Sequence, residues 1–512
     1  MLFPQLRLDE NVFIETNLLS SNYDAVVLIL YPESQNAEPP RHIRSFVKSL
    51  SKVDKSVTKS ATLWSCDYVS GGRLVVSPIK EIGPYHDARI IYEASKKGIQ
   101  RALDAGIRRP LLIVQENVNF SNSQLVAILG ALEALYVPLQ LREHDPKKIE
   151  KVLRLGLHAE EKVTHTFERI IRNAIALESS RVLARDIAGG DPERMTPLKI
   201  QDYLKKSFEG HSNIKINVID DIKSLNKEYP LLAAVSRAAN TIERHRARII
   251  ELEYKPSDPN RIRETLVLIG KGVTYDTGGA DIKISGKMQG MSRDKSGAAA
   301  VAGFMKACSV LKPPHLKVYG VLCLCRNSVG EDSYVADELL LSRSGKTIRV
   351  VNTDAEGRLA MADSLYKFAE IMTKELDPHI YTIATLTGHA KMSFGNYAVA
   401  IDNHCAKAIN HSKQLQLSSS RLGEALEIST LRPEDLEINQ GKVEGDDLVQ
   451  LDTEKNERGH QMAAGFLARV SNLDKTNVKY THLDIAGNAG LLPNQPTAVP
   501  ILTLCDVHKV FM

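Results

Sequence analysis

Two carboxylates and an arginine occupy alternate positions in residues 352–359, which read Asn-Thr-Asp-Ala-Glu-Gly-Arg-Leu. In an extended backbone, side chains at positions i, i+2 and i+4 face the same side. The spacing therefore predicts that Asp354, Glu356 and Arg358 point into one cleft. Gly357 would let the backbone turn or approach another group closely. Acids beside an arginine also occur as ordinary surface ion pairs, so this stretch alone does not define a site.

The elements on either side of this stretch are predicted to be a strand and a helix. Four of the five residues 347–351 are β-branched, which favours a strand, and residues 359–372 include apolar side chains at helical spacing. A charged strand-to-helix junction is where open α/β sheets place ligands. The sequence thus predicts a ligand site at this junction.

A second charged stretch follows the apolar residues 265–270, which are predicted to form a buried strand. It contains Lys271, Asp276, Lys283 and Asp294, with glycines between them that allow close approach of the backbone. Together with the first stretch, it places four carboxylates at the ends of predicted strands: Asp276, Asp294, Asp354 and Glu356. Hard oxygen ligands in that number suit divalent metal ions, and two ions better than one. The alternative is a surface acidic cluster paired with lysines.

Both stretches resemble the leucyl aminopeptidase family, peptidase family M17, whose members are cytosol aminopeptidases. The residues that carry the resemblance are 352–359 and the run Lys-Gly-Val-Thr-Tyr-Asp-Thr-Gly-Gly from Lys271, with Lys283 and Asp294. Residues 385–388, Thr-Leu-Thr-Gly, and 482–487, His-Leu-Asp-Ile-Ala-Gly, are also similar to family segments. The resemblance covers roughly residues 180 to 490 and identifies the chain as a somewhat divergent member.

The resemblance implies a centre of two divalent ions per subunit, Zn²⁺ and/or Mn²⁺. One ion would be bound by Lys271, Asp276, Asp294 and Glu356, and the other by Asp276, Asp354 and Glu356. Asp276 and Glu356 would therefore bridge the two ions. Four carboxylates balance two divalent cations only if Lys271 is an uncharged amine.

The implied activity is removal of N-terminal residues from peptides by a water that the two metal ions activate. One ion would also bind the free α-amine of the substrate, which restricts cleavage to the first residue. Lys283 would stabilise the oxyanion, and Arg358 would hold a bicarbonate that moves protons. For each of these two cations the alternative is a structural salt bridge.

The resemblance also implies the residues that bind substrate. The pocket for the first side chain, expected to be apolar, would be lined by Met291, Thr385, Gly388 and Ala486. The second residue would lie near Asn352, Ala355 and the backbone of Leu386. Departures from the family pattern at residues 459–460 and 488–489 leave the substrate preference open, and those at 189–195 and 488–489 keep a non-catalytic alternative open.

The predicted fold is α/β, with a small N-terminal α/β domain over residues 1–158. A connecting helix and linker are predicted over residues 159–192. Residues 193–512 are predicted to form the catalytic domain, with a mixed, mainly parallel sheet flanked by helices. Its strands are predicted at 214–219, 249–254, 266–269, 318–324, 348–352, 381–385 and 481–485, and its helices at 231–242, 297–310, 359–372 and 459–471. Residues 430–460 are predicted to be a long polar loop near the mouth of the cleft.

Composition limits the remaining function classes. The formal net charge of +4 is small for 512 residues and the charges are interspersed, so neither nucleic acid nor a membrane is an expected partner. Six scattered cysteines and an N-terminus without a long apolar stretch indicate a cytoplasmic protein. The resemblance further implies a homohexamer. The alternative function is a catalytically weak or inactive structural protein with an aminopeptidase fold, which loss of a ligand residue would favour.

Overall fold

The computed structural model describes residues 8, 10–33, 37, 39–159, 164–424, 426–452 and 457–511. The chain divides into two compact units, which are described separately. Unit 1 comprises Met1–Ser179 and Ser418–Glu424, and unit 2 comprises Ser180–Leu417 and Ala425–Met512. Within the described ranges, no helix has the length and apolar character needed to cross a membrane.

Unit 1 contains a six-stranded sheet in the order β1-β6-β5-β2-β4-β3, parallel except for the β3–β4 pair. Its strands are β1 Val12–Glu15, β2 Ala25–Leu30, β3 Thr62–Ser65, β4 Arg73–Pro78, β5 Pro110–Ile113 and β6 Leu155–His158. Its helices are α1 Arg41–Val53, α2 Arg89–Asp104, α3 Ser123–Ala134 and α4 Leu139–His144, and α5 Thr164–Gly189 continues into unit 2. Residues 160–163 of the predicted connecting helix and linker lie outside the described residues.

Unit 2 contains eleven strands in the described residues, eight of them in one sheet. The strands are β7 Ile214–Ile219, β8 Arg248–Tyr254, β9 Glu264–Asp276, β10 Leu316–Asn327, β11 Leu339–Leu341, β12 Thr347–Arg349, β13 Pro378–Ala384, β14 Ala398–Asp402, β15 Leu426–Thr430, β16 Leu448–Val449 and β17 Lys479–Asp484. The helices are α6 Pro197–Ser207, α7 Ile222–Glu228, α8 Pro230–Val235, α9 Ser296–Leu311, α10 Glu356–Met372, α11 Gly388–Phe394, α12 His404–Ala408, α13 His411–Leu422, α14 Pro433–Glu437, α15 Gly459–Val470 and α16 Ile501–Val507. The end of α13, from Ser418 onward, belongs to unit 1.

The eight-stranded sheet has the order β15-β14-β17-β13-β9-β10-β8-β7. Its four central strands, β17, β13, β9 and β10, are parallel, and the strands on either side, β14 and β8, run antiparallel to them. The carboxyl ends of the four central strands therefore meet at one edge, which we name the carboxyl edge. This is the mixed, mainly parallel sheet that the sequence predicts.

Helices cover both faces of the sheet because side chains of a strand alternate between its faces. In β9, Val267 and Ile269 belong to a buried cluster with Leu359 and Leu365 of α10. Gly270, one residue further on, faces α9, and a Cβ atom there would lie 2.5 Å from the Cα atom of Ala298. The next residue of β9, Lys271, again faces α10. Its side chain therefore lies between the sheet and the start of that helix.

Three predicted elements differ from the structure. The strand predicted at 348–352 is only Thr347–Arg349, and it lies in a separate three-stranded sheet, β11-β12-β16. The helix predicted at 231–242 ends at Val235, because side chains such as Ser236 and Asn240 bond to nearby backbone groups instead of continuing it. The polar stretch 430–460 contains α14 and β16 rather than a loop alone.

Candidate metal centre

Four of the site-forming segments begin where the central strands end. Asp276 is the last residue of β9, Asn327 of β10 and Asp484 of β17, and Thr385 directly follows β13. All four lie at the carboxyl edge. In open sheets of parallel strands this edge is where ligands bind, because the connections that leave it diverge and form a crevice.

The residues 352–359 reach this edge by a different route from the predicted one. Asn352 is extended, and its side-chain oxygen accepts the backbone N–H of Asp354 at 2.7 Å. This bond starts a single 3-10 turn at Thr353–Ala355, and α10 then begins at Glu356 rather than at residue 359. The expected alternation of Asp354, Glu356 and Arg358 along an extended chain is therefore wrong. Asp354 lies in the turn, whereas Glu356 and Arg358 lie in the first turn of the helix.

Lys271 is the centre of a buried ion cluster. Its Nζ atom lies 2.8 Å from Asp294 Oδ1 and 2.7 Å from Glu356 Oε1, and it donates to the carbonyl oxygen of Thr385 at 3.0 Å. Gly357 is needed here because a Cβ atom at that position would lie 2.8 Å from the same Nζ atom. The glycine therefore serves close approach, as the sequence predicts, and places the helix start directly over the lysine.

Lys283 forms a second ion cluster with the remaining acids. Its Nζ atom lies 2.9 Å from Asp276 Oδ2 and also contacts Asp354 Oδ1. The side chain is 13% exposed, whereas that of Asp354 is 37% exposed. Lys283 thus lies toward the open side of the site, and here it is paired with carboxylates rather than left unpaired.

The carboxylates are close enough to one another to disfavour their own ionisation. Asp276, Asp294 and Glu356 each place an oxygen within 4.8 Å of the others. Burial raises the pKa of Glu356 well above its usual value, and repulsion by Asp276 raises it further. Burial lowers the pKa of Lys271, but the carboxylates of Asp294, Glu356 and Asp276 outweigh burial and hold it above its usual value.

Two oxygens of this cluster accept no hydrogen bond within the described part of the chain. They are Asp294 Oδ2 and Glu356 Oε1, and both are buried. The Glu356 oxygen is nevertheless paired with Lys271 Nζ at 2.7 Å, whereas Asp294 Oδ2 has no hydrogen-bond partner in those residues. A buried carboxylate oxygen without a donor is costly, and hard divalent cations take such oxygens as ligands. The donor set therefore fits divalent metal ions.

Arg358 is buried beside these acids. Its Nη1 atom donates to the carbonyl oxygen of Gln450 at 2.8 Å, and its Nε atom has no hydrogen-bond partner among the described residues. Burial lowers the pKa of Arg358 to about 10. Gln450 in turn donates to the carbonyl oxygen of Ala355 at 3.0 Å. Sequence reasoning missed Gln450, which follows a short strand in a polar stretch and belongs to no motif.

The predicted substrate residues lie around the same centre. Thr385 donates through Oγ1 to Asp294 Oδ1 at 2.7 Å, and Met291 begins the 3-10 turn that contains Asp294. The backbone N–H groups of Leu386 and Ala486 both donate to Asp484 Oδ1, at 3.2 and 3.1 Å. The remaining three are Asn352 and Ala355, which flank Asp354, and Gly388, which is exposed at the start of α11.

Comparison with known proteins shows the family. The family model described as "Cytosol aminopeptidase family, catalytic domain" matches residues 182–505. The chain belongs to this family, which confirms the resemblance drawn from the two charged stretches.

Relatives extend this match over most of the chain. "Putative aminopeptidase W07G4.4" from Caenorhabditis elegans is 39% identical over 516 residues, covering 98% of each chain. A "Probable cytosol aminopeptidase" from Tropheryma whipplei is 28% identical over 403 residues, covering 76% of each chain. The solved structure of "Bottromycin maturation enzyme BotP in complex with Mn" has a TM-score of 0.78 at 21% identity and covers 95% of this chain and 98% of its own. That likeness shows a shared two-domain fold.

Proposed function

We propose that the protein is a metal-dependent aminopeptidase that releases N-terminal, preferentially apolar residues from peptides through two divalent ions. Membership of the cytosol aminopeptidase family supports the reaction class. The observation that carries the metal dependence is the group of three buried carboxylates, Asp276, Asp294 and Glu356, whose oxygens lie within 4.8 Å of one another, with Asp294 Oδ2 accepting no hydrogen bond in the described ranges. The complete set of acids at the carboxyl edge favours an active enzyme over a structural protein that has lost a ligand.

The proposed ligands are Lys271, Asp276, Asp294 and Glu356 for one ion and Asp276, Asp354 and Glu356 for the other, as the family resemblance implies. When bound, the ions would supply Lewis acidity toward the peptide carbonyl and a water whose pKa is lowered toward neutrality. Mn²⁺ and Zn²⁺ are the proposed metals. BotP, to which this fold is similar, was solved in complex with Mn.

Lys271 has the most demanding role in this assignment. It lies 3% exposed between Asp294 and Glu356, and their charges favour its ammonium form. A lysine coordinates a metal only as the neutral amine, because the ammonium group has no lone pair. The ligand role would therefore require a neutral amine at Lys271, with its proton released to solvent, and the ions would supply the positive charge that these two carboxylates face.

Lys283 and Arg358 are the proposed catalytic residues outside the ligand set. Lys283 contacts Asp276 and Asp354 near the open side of the site, where it can donate to the oxygen that becomes negative as the carbonyl is attacked. Arg358 offers a buried Nε–H that has no partner in the described residues, which fits a small planar anion such as bicarbonate. A bound bicarbonate would then be positioned to move protons at the reacting centre.

The test compares free and blocked substrates. Leucine amide and a peptide with a free apolar N-terminus should be hydrolysed, whereas the N-acetylated forms of both should not. A chelator should abolish the activity, and Mn²⁺ or Zn²⁺ should restore it. Equal cleavage of the acetylated peptides would contradict the proposal. Binding of metal without hydrolysis of either form would instead support the catalytically inactive alternative.

Two further properties follow from the family resemblance alone. We propose that the protein is a homohexamer, which agrees with the general preference of oligomers for closed symmetry, and that it acts in the cytoplasm. Light scattering at micromolar concentration should give the mass of six chains. A mass equal to one chain would contradict the oligomeric proposal.

A further inference from the structure

Asn327 connects two segments that contribute acids to the candidate metal centre. It is the last residue of β10 and is fully buried. Its Nδ2 atom donates to Asp276 Oδ1 at 2.8 Å and to the carbonyl oxygen of Thr353 at 3.0 Å. One amide group therefore links the end of β9 to the 3-10 turn that contains Asp354.

The orientation of this amide is fixed by its partners. A carboxylate oxygen and a carbonyl oxygen are both acceptors, so only the NH₂ side of Asn327 can face them. The Oδ1 atom of Asn327 is buried and accepts no hydrogen bond in the described part of the chain. Since a buried acceptor without a partner is unfavourable, the residue is explained by its two donated bonds rather than by its oxygen.

These bonds determine which oxygen of Asp276 remains available to bind a metal ion. Asp276 Oδ1 accepts from Asn327 and also from the backbone N–H of Gly278 at 2.9 Å. Its Oδ2 atom is left to face Lys283 at 2.9 Å. The carbonyl oxygen of Thr353 is held from a second side by the hydroxyl of Tyr334 at 2.7 Å, so the turn is fixed on both sides.

We propose that Asn327 is a positioning residue of the metal centre. Its amide holds Asp276 so that Oδ2 is presented to the metal ions, and it fixes the position of Asp354 relative to that oxygen through Thr353. This role rests on the proposed two-metal function. Groups that orient a ligand in this way contribute strongly to metal affinity although they do not contact the ion.

Asn403 provides a matched control for a purely structural role. It is 3% exposed, and its Nδ2 atom also donates to two acceptors, the carbonyl oxygens of Leu473 and Val478, both at 3.0 Å. It lies beside the start of β17, because its Oδ1 atom accepts the backbone N–H of Tyr480, and so it is away from the carboxyl edge. Loss of its amide should reduce stability without changing metal binding.

The experiment is calorimetric titration of Mn²⁺ into chelator-treated wild-type protein, Asn327→Asp and Asn403→Asp, with the melting temperature of each metal-free protein. Asn327→Asp should bind Mn²⁺ about 10- to 100-fold more weakly than wild type, and Asn403→Asp should bind it with wild-type affinity. Charge counting alone predicts the opposite for Asn327→Asp, because a fifth carboxylate would attract the ion. Wild-type or tighter affinity in this variant would overturn the positioning role.

A second variant separates positioning from folding. Asn327→Ala removes both donated bonds without adding charge, and it should also fold and bind Mn²⁺ more weakly than wild type. If neither Asn327 variant folds, the residue serves folding and the inference is wrong. Wild-type protein that binds no Mn²⁺ or Zn²⁺ would contradict the proposed function itself, whereas unchanged affinity in both Asn327 variants would contradict only this inference.

Discussion

The two ends of the central parallel strands bury polar groups in opposite ways. At the amino ends lies a group of five residues that we name the amino-edge cluster: Glu264, His379, Tyr381, His411 and His508. The hydroxyl of Tyr381 lies between His411 Nε2 at 2.6 Å and His508 Nε2 at 2.7 Å, and His508 Nδ1 lies 3.0 Å from Glu264 Oε2. His379 stacks on Tyr381 with ring centroids 4.3 Å apart. Four of these five residues therefore have hydrogen-bond partners within the cluster.

The carboxyl edge contrasts with this arrangement, although Lys271, Asp276, Asp294 and Glu356 are also buried there. There the acids outnumber the lysines, and oxygens of Asp294 and Glu356 accept no hydrogen bond within the described residues. Burial lowers the pKa of His411 to about 3, which keeps this imidazole neutral, whereas at the carboxyl edge burial and charge repulsion act on acids that have too few partners. A buried polar cluster that is complete stabilises the fold, whereas an incomplete one needs an explanation, for which we propose bound metal ions at the carboxyl edge.

The largest expected effect is at Lys271, compared in two substitutions. Without metal, Lys271→Met leaves Asp294 and Glu356 without their cation and should lower the free energy of unfolding by about 3–5 kcal/mol, whereas Lys271→Arg should cost less. With metal, the order should change, because arginine cannot lose its proton and keeps a charge beside the ions. Lys271→Arg should then lose one ion and nearly all activity, with Lys271→Met no worse.

Urea unfolding of the two metal-free variants shows which substitution is more destabilising. Metal content and turnover of the metal-loaded variants then show which one is more harmful to the site. A Lys271→Arg enzyme that binds both ions and retains activity would show that Lys271 is a charged partner of the acids. The carboxyl edge would then resemble the amino-edge cluster, in which the polar groups pair with one another.

A smaller effect is expected at Lys283. Lys283→Ala should lower kcat by about 10²- to 10³-fold, as loss of one oxyanion donor does, while both ions stay bound. Arg358→Ala is the matched comparison, because Arg358 is also assigned outside the ligand set and should likewise lower turnover with both ions retained. Metal analysis alongside steady-state kinetics checks both variants. Loss of an ion in either one would place that residue among the groups that hold the metal.

The smallest effect is expected at the amino-edge cluster and concerns stability rather than activity. The pKa of His411 is lowered in the folded state from 6.5 to about 3, so the unfolded chain takes up the proton first. The stabilisation is therefore complete above pH 6.5 and is lost as the pH falls toward 3, by about 1.4 kcal/mol per pH unit. His411→Asn should remove this part of the slope. Urea unfolding of both proteins at pH 7.5 and 5.5 gives the change in the free energy of unfolding with pH. If this change is the same in His411→Asn as in wild type, protonation of His411 does not destabilise the fold and the prediction is wrong.

Much of the carboxyl edge could be predicted from sequence because its acids follow apolar strands within two short stretches. The start of α10 could not, because the side chain of Asn352 closes a turn that strand and helix periodicity do not show. Asn327 and Gln450 are single polar residues whose importance depends on partners far along the chain. β9 extends to Asp276 although its last residues include Lys271 and Thr274, because both are buried against neighbouring elements.

The amino-edge cluster could not be predicted at all. Its members come from strands and helices separated by up to 244 positions in the sequence, as between Glu264 and His508. No spacing rule connects them, and they meet only because β9 and β13 are neighbours in the sheet while α13 begins and α16 ends nearby. Sequence patterns therefore indicate sites built from local runs of residues and miss sites assembled by topology.

The most direct measurement is a crystal structure of the protein soaked in Mn²⁺, with anomalous scattering recorded to locate the metal. The two-metal account predicts two anomalous peaks per chain at the carboxyl edge, one of them in contact with Asp294 Oδ2 and Lys271 Nζ and both in contact with Glu356. Lys271 should then no longer be an ion-pair partner of the two acids. An active protein with no peak at this edge, or with Lys271 still paired to Asp294 and Glu356, would contradict it.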